Sequence, residues 1–542
     1  MSRLRVYFKA VMNVPILVRS LSSVFVPTQG DTFITVTTPW VPESARMPTP
    51  TQSLVRGSAT LFLSMSLAAG LALVISVFVA RWLDASDFGM YSVLISLQGV
   101  VSLLASFSVG TAVAKYVAEF RVRDEEQALR FAKSGLVIVL MLSSFVAIVY
   151  VVLSNVIGRG LYKEPAMVHI IPFSALMVIS TCLCGLSLGI VQGCQKFRLM
   201  AIAQVAYPLF SLVLIILLLP LMGIRGIFIG YFLSTLTVSA IMLTVLNRRE
   251  FRFFSARLEL HRKSVTVPML FSFALPAVLS SLMVTPVVWV ANTELTLDAG
   301  LKAMGYFAVA YAVYSALVLI PSSISTPMMP RVSQLTVGNH DDIERLVTKV
   351  LRTLSIALFP LMFAIALFAE FVVEFTYGSK YSASAKAVYL MVTASYFYSL
   401  SAVVSSMITG MGRMWLGLGL NMFWAAVFLT LVFAGVPALG TNGLALSYAA
   451  AYGVFLVLTV LVSKRVLHVS VKGMYLAGAS AAFFFLSGLF TEGMSTVGGL
   501  AVKFGLLLVG IAYFCLIGRD VVKSLYLRAM GILHRLRFSR AA

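Results

Sequence analysis

Few side chains in this sequence could do chemistry, and their spacing limits what that chemistry is. Glu370 and Glu374 stand one helical turn apart. Two carboxylates at that separation favour protonation of one of them, as an ion-coupling site requires, and a wet helix end would show the same pair. Glu294 is placed similarly, at the end of an apolar run. Arg81 closes another run. Its planar fork of donors suits a phosphate or diphosphate, and it equally suits an anchor reaching the lipid headgroups. Tyr306, Tyr311 and Tyr314 with Trp289 could stack on sugar rings in a cavity or form an interfacial aromatic belt. Four cysteines (Cys182, Cys184, Cys194, Cys515) and five scattered histidines lack the paired spacing of a disulfide or zinc framework. No metal and no cofactor are expected.

The elements that position these residues follow from composition. Of 542 residues, 60% are hydrophobic and 11% charged, whereas soluble domains carry roughly a quarter charged residues. Uncharged runs long enough to cross the hydrocarbon recur along the chain. They predict an all-α polytopic membrane protein of about 14 transmembrane helices. The divisions are an N-terminal tail at 1–55, six spans within 56–250, six within 251–465, and two further spans with a basic tail in 466–542. The net charge of +21 could suggest nucleic acid, but the basic residues punctuate apolar runs, so the membrane surface explains them and no nucleic-acid partner is expected. With both termini in the cytoplasm, 33 of the 41 basic residues face inward and eight outward: Arg81, Arg159, Lys163, Arg225, Lys302, Lys380, Lys386 and Lys503. That bias places a multi-pass protein in the cell membrane with both ends cytoplasmic. Residues 115–133 and 331–352 read as amphipathic helices on the inner surface.

Self-similarity organises the spans. The stretch GCQK at 193–196 recurs as GMGR at 410–413, and PLMGIRG at 220–226 as PALGTNG at 437–443, both offset by 217. Lys115 corresponds to Arg331, Lys133 to Lys349 and Gly89 to Gly305 at 216. Each copy holds an even number of spans, so both enter from one side. The expected architecture is two six-helix lobes related by a pseudo-two-fold axis along the membrane normal, as in transporters that open to alternate sides. Lys115 and Arg331 then stand on opposite sides of the cleft at its cytoplasmic mouth. They are candidates to receive an anionic substrate, or they anchor the helices by charge alone.

Four stretches carry a family resemblance: ARWLDASDFGMY at 80–91; FALP at 273–276 with GYFAVA at 305–310; Met329-Pro330-Arg331 with Ser333; and YGSKY at 377–381 with the Gly440–Gly443 turn. Together they resemble the Wzx-like polysaccharide flippases of the multidrug/oligosaccharidyl-lipid/polysaccharide exporter superfamily. The resemblance implies movement of a lipid-linked, polyprenyl-diphosphate oligosaccharide from the cytoplasmic to the outer leaflet for cell-surface glycan synthesis. It implies the bilayer, and glycosyltransferases or a polymerase of the same pathway, as partners, and a monomer. Such flippases often place an acid within span 7, where this chain reads Trp289-Val-Ala-Asn292, the nearest acid being Glu294. Asn292 and Trp289 thus join Arg81, Lys115, Arg331 and Tyr306 as substrate-binding candidates, and Glu294, Glu370 and Glu374 are the ion-coupling candidates. Two other classes stay open. A membrane glycosyltransferase or polymerase would use Asp84 and Asp87 as an acidic motif, although the pair also suits a turn and helix cap. A cation-coupled drug extruder would prefer an acid inside span 1, where 57–80 has none.

Overall fold

The computed structural model describes residues 50–123, 125–249, 284–335 and 340–466, with short stretches between 483 and 512. The part from Pro50 onward lies, but for its first four residues, in one compact unit, Leu54–Ala542. Its elements are α1 (Pro50–Trp82), α2 (Ala85–Ser106), α3 (Val109–Arg123), α4 (Glu125–Val152), a π turn (Val156–Leu161), α5 (Pro165–Gly193), α6 (Phe197–Met222) and α7 (Ile224–Arg249), then α8 (Thr285–Leu335), α9 (His340–Leu367), α10 (Ala369–Tyr377), a 3₁₀ turn (Ser379–Ser384), α11 (Ala385–Gly410), α12 (Met414–Leu439) and α13 (Thr441–Val466). Among the described residues, eleven helical segments are long and apolar enough to span a membrane. The expected tail, most of span 7 and spans 13 and 14 lie largely outside the described residues.

The 217-residue offset recurs in the backbone. Gly223 and Gly440 end α6 and α12 at φ 59° and 53°, and their N–H groups return to Leu219 and Val436. Positive φ is open to glycine at little cost, which is why the turn falls on that residue in both copies. One turn later, a Cβ on Gly226 would stand 2.3 Å from the Leu218 carbonyl oxygen, and one on Gly443 2.0 Å from that of Gly435. Both hairpins close backbone to backbone. Packing runs within each half, α3, α4 and α7 on α5 in the first and α8, α9 and α13 on α11 in the second, while α2 and α8 join the two.

Two spans differ from expectation. Span 2 stops at Ser106, where Phe107 and Ser108 take φ 42° and 49°, and α3 begins anew. Span 9 breaks at Phe368, so Glu370 and Glu374 sit on the short helix α10. Gly300, at φ 83° and ψ 171°, divides α8 into 285–299 and 301–335, where the connection between spans 7 and 8 was expected. The expected surface helices also differ. Residues 115–133 are the end of α3 and the start of α4, and their Tyr116, Val117, Phe131 and Ala132 are buried. Within 340–352, Ile343, Val347 and Leu351 are buried at fourfold spacing. Both apolar stripes are covered by protein; in the first, glycines let α3 press onto α5, a Cβ on Gly189 lying 2.2 Å from the Gly110 carbonyl oxygen.

Candidate functional site

The halves meet at one end of α2. There Gly89 faces Leu301 and Gly305 faces Ala85, each so closely that an added Cβ would stand 1.9 Å from the opposing carbonyl oxygen. The two contacts are the same contact seen from either copy, since Ala85 and Leu301, like Gly89 and Gly305, are 216 residues apart. A two-fold crossing has this self-complementary form. Only the missing side chains allow it, and the flanking Phe88, Val93 and Leu94 are buried.

Above the crossing, each half supplies a cation to the other's helix end. Arg81, at the close of α1, donates from Nε to Thr376 O (2.7 Å) and from a terminal nitrogen to Phe375 O (2.6 Å). These are among the last carbonyls of α10, which have no partner within their own helix. Lys380, just after α10, donates from Nζ to Arg81 O (3.0 Å) and Leu83 O (2.5 Å), at the end of α1. Cations at helix C-termini also complement the helix dipole. Beneath them the fully buried Tyr381 donates to Leu83 O and Asp84 O at 3.4 and 3.3 Å. Its ring meets Phe88 and Tyr306 edge-on at 5.9 and 6.3 Å.

Two hydroxyl contacts repeat the pattern. Tyr377 meets Ser76 at 3.5 Å, and Tyr162 meets Thr293 at 2.8 Å. Ser76 and Thr293 are 217 residues apart, Tyr162 and Tyr377 215. Each half therefore extends the loop between its third and fourth spans to the first span of the other. Trp289 Nε1 donates to Tyr162 Oη at 3.1 Å, and Asn292 Nδ2 to Ser96 Oγ at 3.1 Å. Ser96 lies about 16 Å along α2 from Ala85, at 1.5 Å per residue. These hydrogen bonds between the halves all lie in this stretch. Asn292 Oδ1, buried beside Ser96, accepts none.

Arg81, Trp289, Asn292 and Tyr306 are thus brought together in the seam, whereas Lys115 is not. Lys115 is exposed on α3, 4.9 Å over the Tyr116 ring. Arg331 lies on the last turns of α8, and its side chain is outside the described residues. Glu294 is half-buried next to Thr293, and Glu370 and Glu374 are exposed on α10. Tyr311 and Tyr314 join a ring cluster with Tyr448 and Tyr452 inside the second half. Asp84 Oδ1 accepts from Asp87 N at 2.7 Å, capping α2. Among the described residues no three His, Cys, Asp or Glu side chains group to hold a metal. The sequence reading missed Ser76, Tyr162, Thr293, Tyr377, Lys380 and Tyr381. For the two hydroxyl pairs, Ser76 with Tyr377 and Tyr162 with Thr293, the signal was the repeat offset carried from loops into spans.

Residues 54–336, just over half of the chain, match the family model described as polysaccharide biosynthesis protein. The chain belongs to that family. No curated protein matches it. Among solved structures it is similar to "Lipid II flippase MurJ, inward closed conformation" (TM-score 0.68, 13% identity, 86% of this chain and 100% of that one). It is also similar to a multidrug resistance MATE family transporter of the MOP superfamily. For the inward-facing form the TM-score is 0.61 at 17% identity, covering 78% and 98% of the two chains. For the outward-facing form it is 0.54 at 17%, covering 80% and 96%. This multi-pass helical fold is that of MOP-superfamily transporters and flippases, and the family's setting is polysaccharide biosynthesis.

Proposed function

We propose that the chain is an alternating-access flippase that carries a polyprenyl-diphosphate-linked oligosaccharide from the cytoplasmic to the outer leaflet of the cell membrane. The observation that carries this reading is the reciprocal seam, two repeated halves closed against each other at one end by contacts that a rigid rotation would break together. Family membership in polysaccharide biosynthesis and the likeness to a lipid II flippase support a lipid-linked glycan as the cargo. The charge bias puts the closed end outside and both termini in the cytoplasm. The chain then acts as a monomer of two six-helix lobes (56–250 and 251–465) with two added spans, beside the glycosyltransferases or polymerase of its pathway, and performs no covalent step. Lys115 and Arg331 receive the diphosphate at the open mouth. Trp289, Asn292 and Tyr306 contact the cargo as the seam opens, and Glu294, Glu370 and Glu374 couple the cycle to an ion.

The test is leaflet exchange. Chain purified and reconstituted into vesicles should move a fluorescent lipid-linked oligosaccharide between leaflets. Cationic dyes moved instead, with the oligosaccharide immobile, would assign the chain to drug extrusion.

A further inference from the structure

The residues that close the seam form two structurally unlike groups. The glycine crossing and the Tyr162–Thr293 and Tyr377–Ser76 contacts are shared between the two copies. The exchange of cations is not: the position 216 residues beyond Arg81 is Leu297, which carries no charge, and the position 217 before Lys380 is the exposed Lys163. The cations thus reinforce one side of the seam and are not part of its two-fold framework. They also sit at the rim, where α1 and α10 end, and so are the outermost contacts of the seam.

We infer that Arg81 and Lys380, each capping the other half's helix, form with the two tyrosine contacts a latch that holds this end shut and sets its open-to-closed ratio. The inference rests on the alternating-access reading. Opening the end separates α1 from α10. That leaves the carbonyls of Phe375, Thr376, Arg81 and Leu83 without their donors, and water then replaces them. The exchange is near balance at an exposed rim, where charge-assisted contacts are worth less than in a core. A latch of this kind is releasable. It biases the equilibrium rather than locking it, and the buried tyrosine hydroxyls below supply the rest of the hold.

The experiment measures the distance across each end of the molecule. Met222 and Leu439 are exposed, repeat-equivalent positions at the ends of α6 and α12 on the latch side. The Gly440 turn beside Leu439 lies 3.7 Å from Ala299 Cβ when a Cβ is placed on it. Lys196 and Arg413, also exposed and equivalent, mark the opposite end. Nitroxide labels are placed at either pair in the full chain, with its four native cysteines changed to alanine, and pulsed electron-spin distances are recorded in lipid nanodiscs. Arg81→Ala with Lys380→Ala should raise the long-distance fraction at Met222/Leu439, changing the open-to-closed ratio about three- to tenfold. The fraction at Lys196/Arg413 should shorten in step. Tyr162→Phe with Tyr377→Phe removes only hydroxyls and should act in the same direction. Arg159→Ala, which deletes an exposed cation on the π turn, should change neither pair. Unchanged Met222/Leu439 distances in both the cation and the tyrosine variants overturn the latch. An equal shift with Arg159→Ala overturns it too, since any loss of charge would then suffice. These distances do not depend on the cargo, so a chain that fails to move the oligosaccharide while its latch variants still open would sink the flippase reading and leave the latch standing.

Discussion

The glycine crossing gives the sharpest quantitative expectation. In Gly305→Ala the new Cβ would stand 1.9 Å from Ala85 O, with Ala85 C at 2.9 Å, while real Cβ contacts do not fall below 3.0 Å. The obstructing atoms are backbone, so no rotamer change relieves the clash, and α2 must retreat from 301–335 by about 1.1 Å in a close-packed interior. Overpacking of this kind costs about 1–3 kcal/mol. If the crossing exists only when this end is closed, the whole cost falls on the closed state. At about 1.4 kcal/mol per tenfold, the closed-to-open ratio should then fall roughly five- to 150-fold. Gly89→Ala should do the same, its Cβ lying 1.9 Å from Leu301 O. The double variant should cost clearly less than the two singles added, because one separation of the helices relieves both clashes. The assay is the Met222/Leu439 distance distribution, with thermal unfolding recorded beside it. A Gly305→Ala protein whose distances match the parent's would refute the reasoning, and so would full additivity in the pair.

Gly189→Ala provides the contrast, for its Cβ meets Gly110 O at 2.2 Å within one half. It should cost about 1–3 kcal/mol in thermal or denaturant stability and leave both end-to-end distances where they were. Lys115→Gln and Arg331→Gln should each lower glycan export, in cells lacking their own flippase, about ten- to a hundredfold at equal abundance, the loss of one charge-assisted contact. Arg331→Lys should export nearly as poorly if a diphosphate is gripped by the guanidinium fork, and normally if only charge matters. A reporter active only in the cytoplasm should stay silent when fused at Ser379, beside the latch, and give signal when fused after residue 542. Signal at Ser379 would reverse the assigned sidedness.

Membrane class, most helix ends and the repeat were legible because each rests on a coarse quantity: length of uncharged run, turn residues and a constant offset. The Gly223 and Gly440 turns fall where the sequence puts them. The interruption at Phe107 and Ser108 was not legible, since neither residue is a glycine or proline, although both take left-handed backbone. The break at Phe368 leaves no mark for the same reason. The seam was missed through geometry. A repeat compared loop to loop suggests that equivalent residues, such as Lys115 and Arg331, face each other. A two-fold axis instead makes each residue meet the equivalent of its partner. Ser76 thus meets Tyr377 and Thr293 meets Tyr162, pairs in which neither residue type draws notice in an apolar helix.

The charge count held one further piece of information. With the sidedness proposed above, eight basic residues oppose the inward bias, and charge bias by itself offers them no role. Two of the eight, Arg81 and Lys380, are committed across the seam to the carbonyls of the opposite half's helix ends. Lys302 stands 6.0 Å over Tyr306, whose ring packs on Tyr381 in the same seam. A cation on the disfavoured side is retained against the trend that orients the rest, so something other than topology must hold it there. Here that something is a set of carbonyls and ring faces belonging to the closed end. Replacing Arg81 or Lys380 by a neutral residue should therefore leave insertion and orientation unchanged, because it strengthens the inward bias, while loosening the end those residues hold. Reporter fusions that flip orientation in the Arg81→Ala chain would contradict this, and would return the residue to service as an anchor.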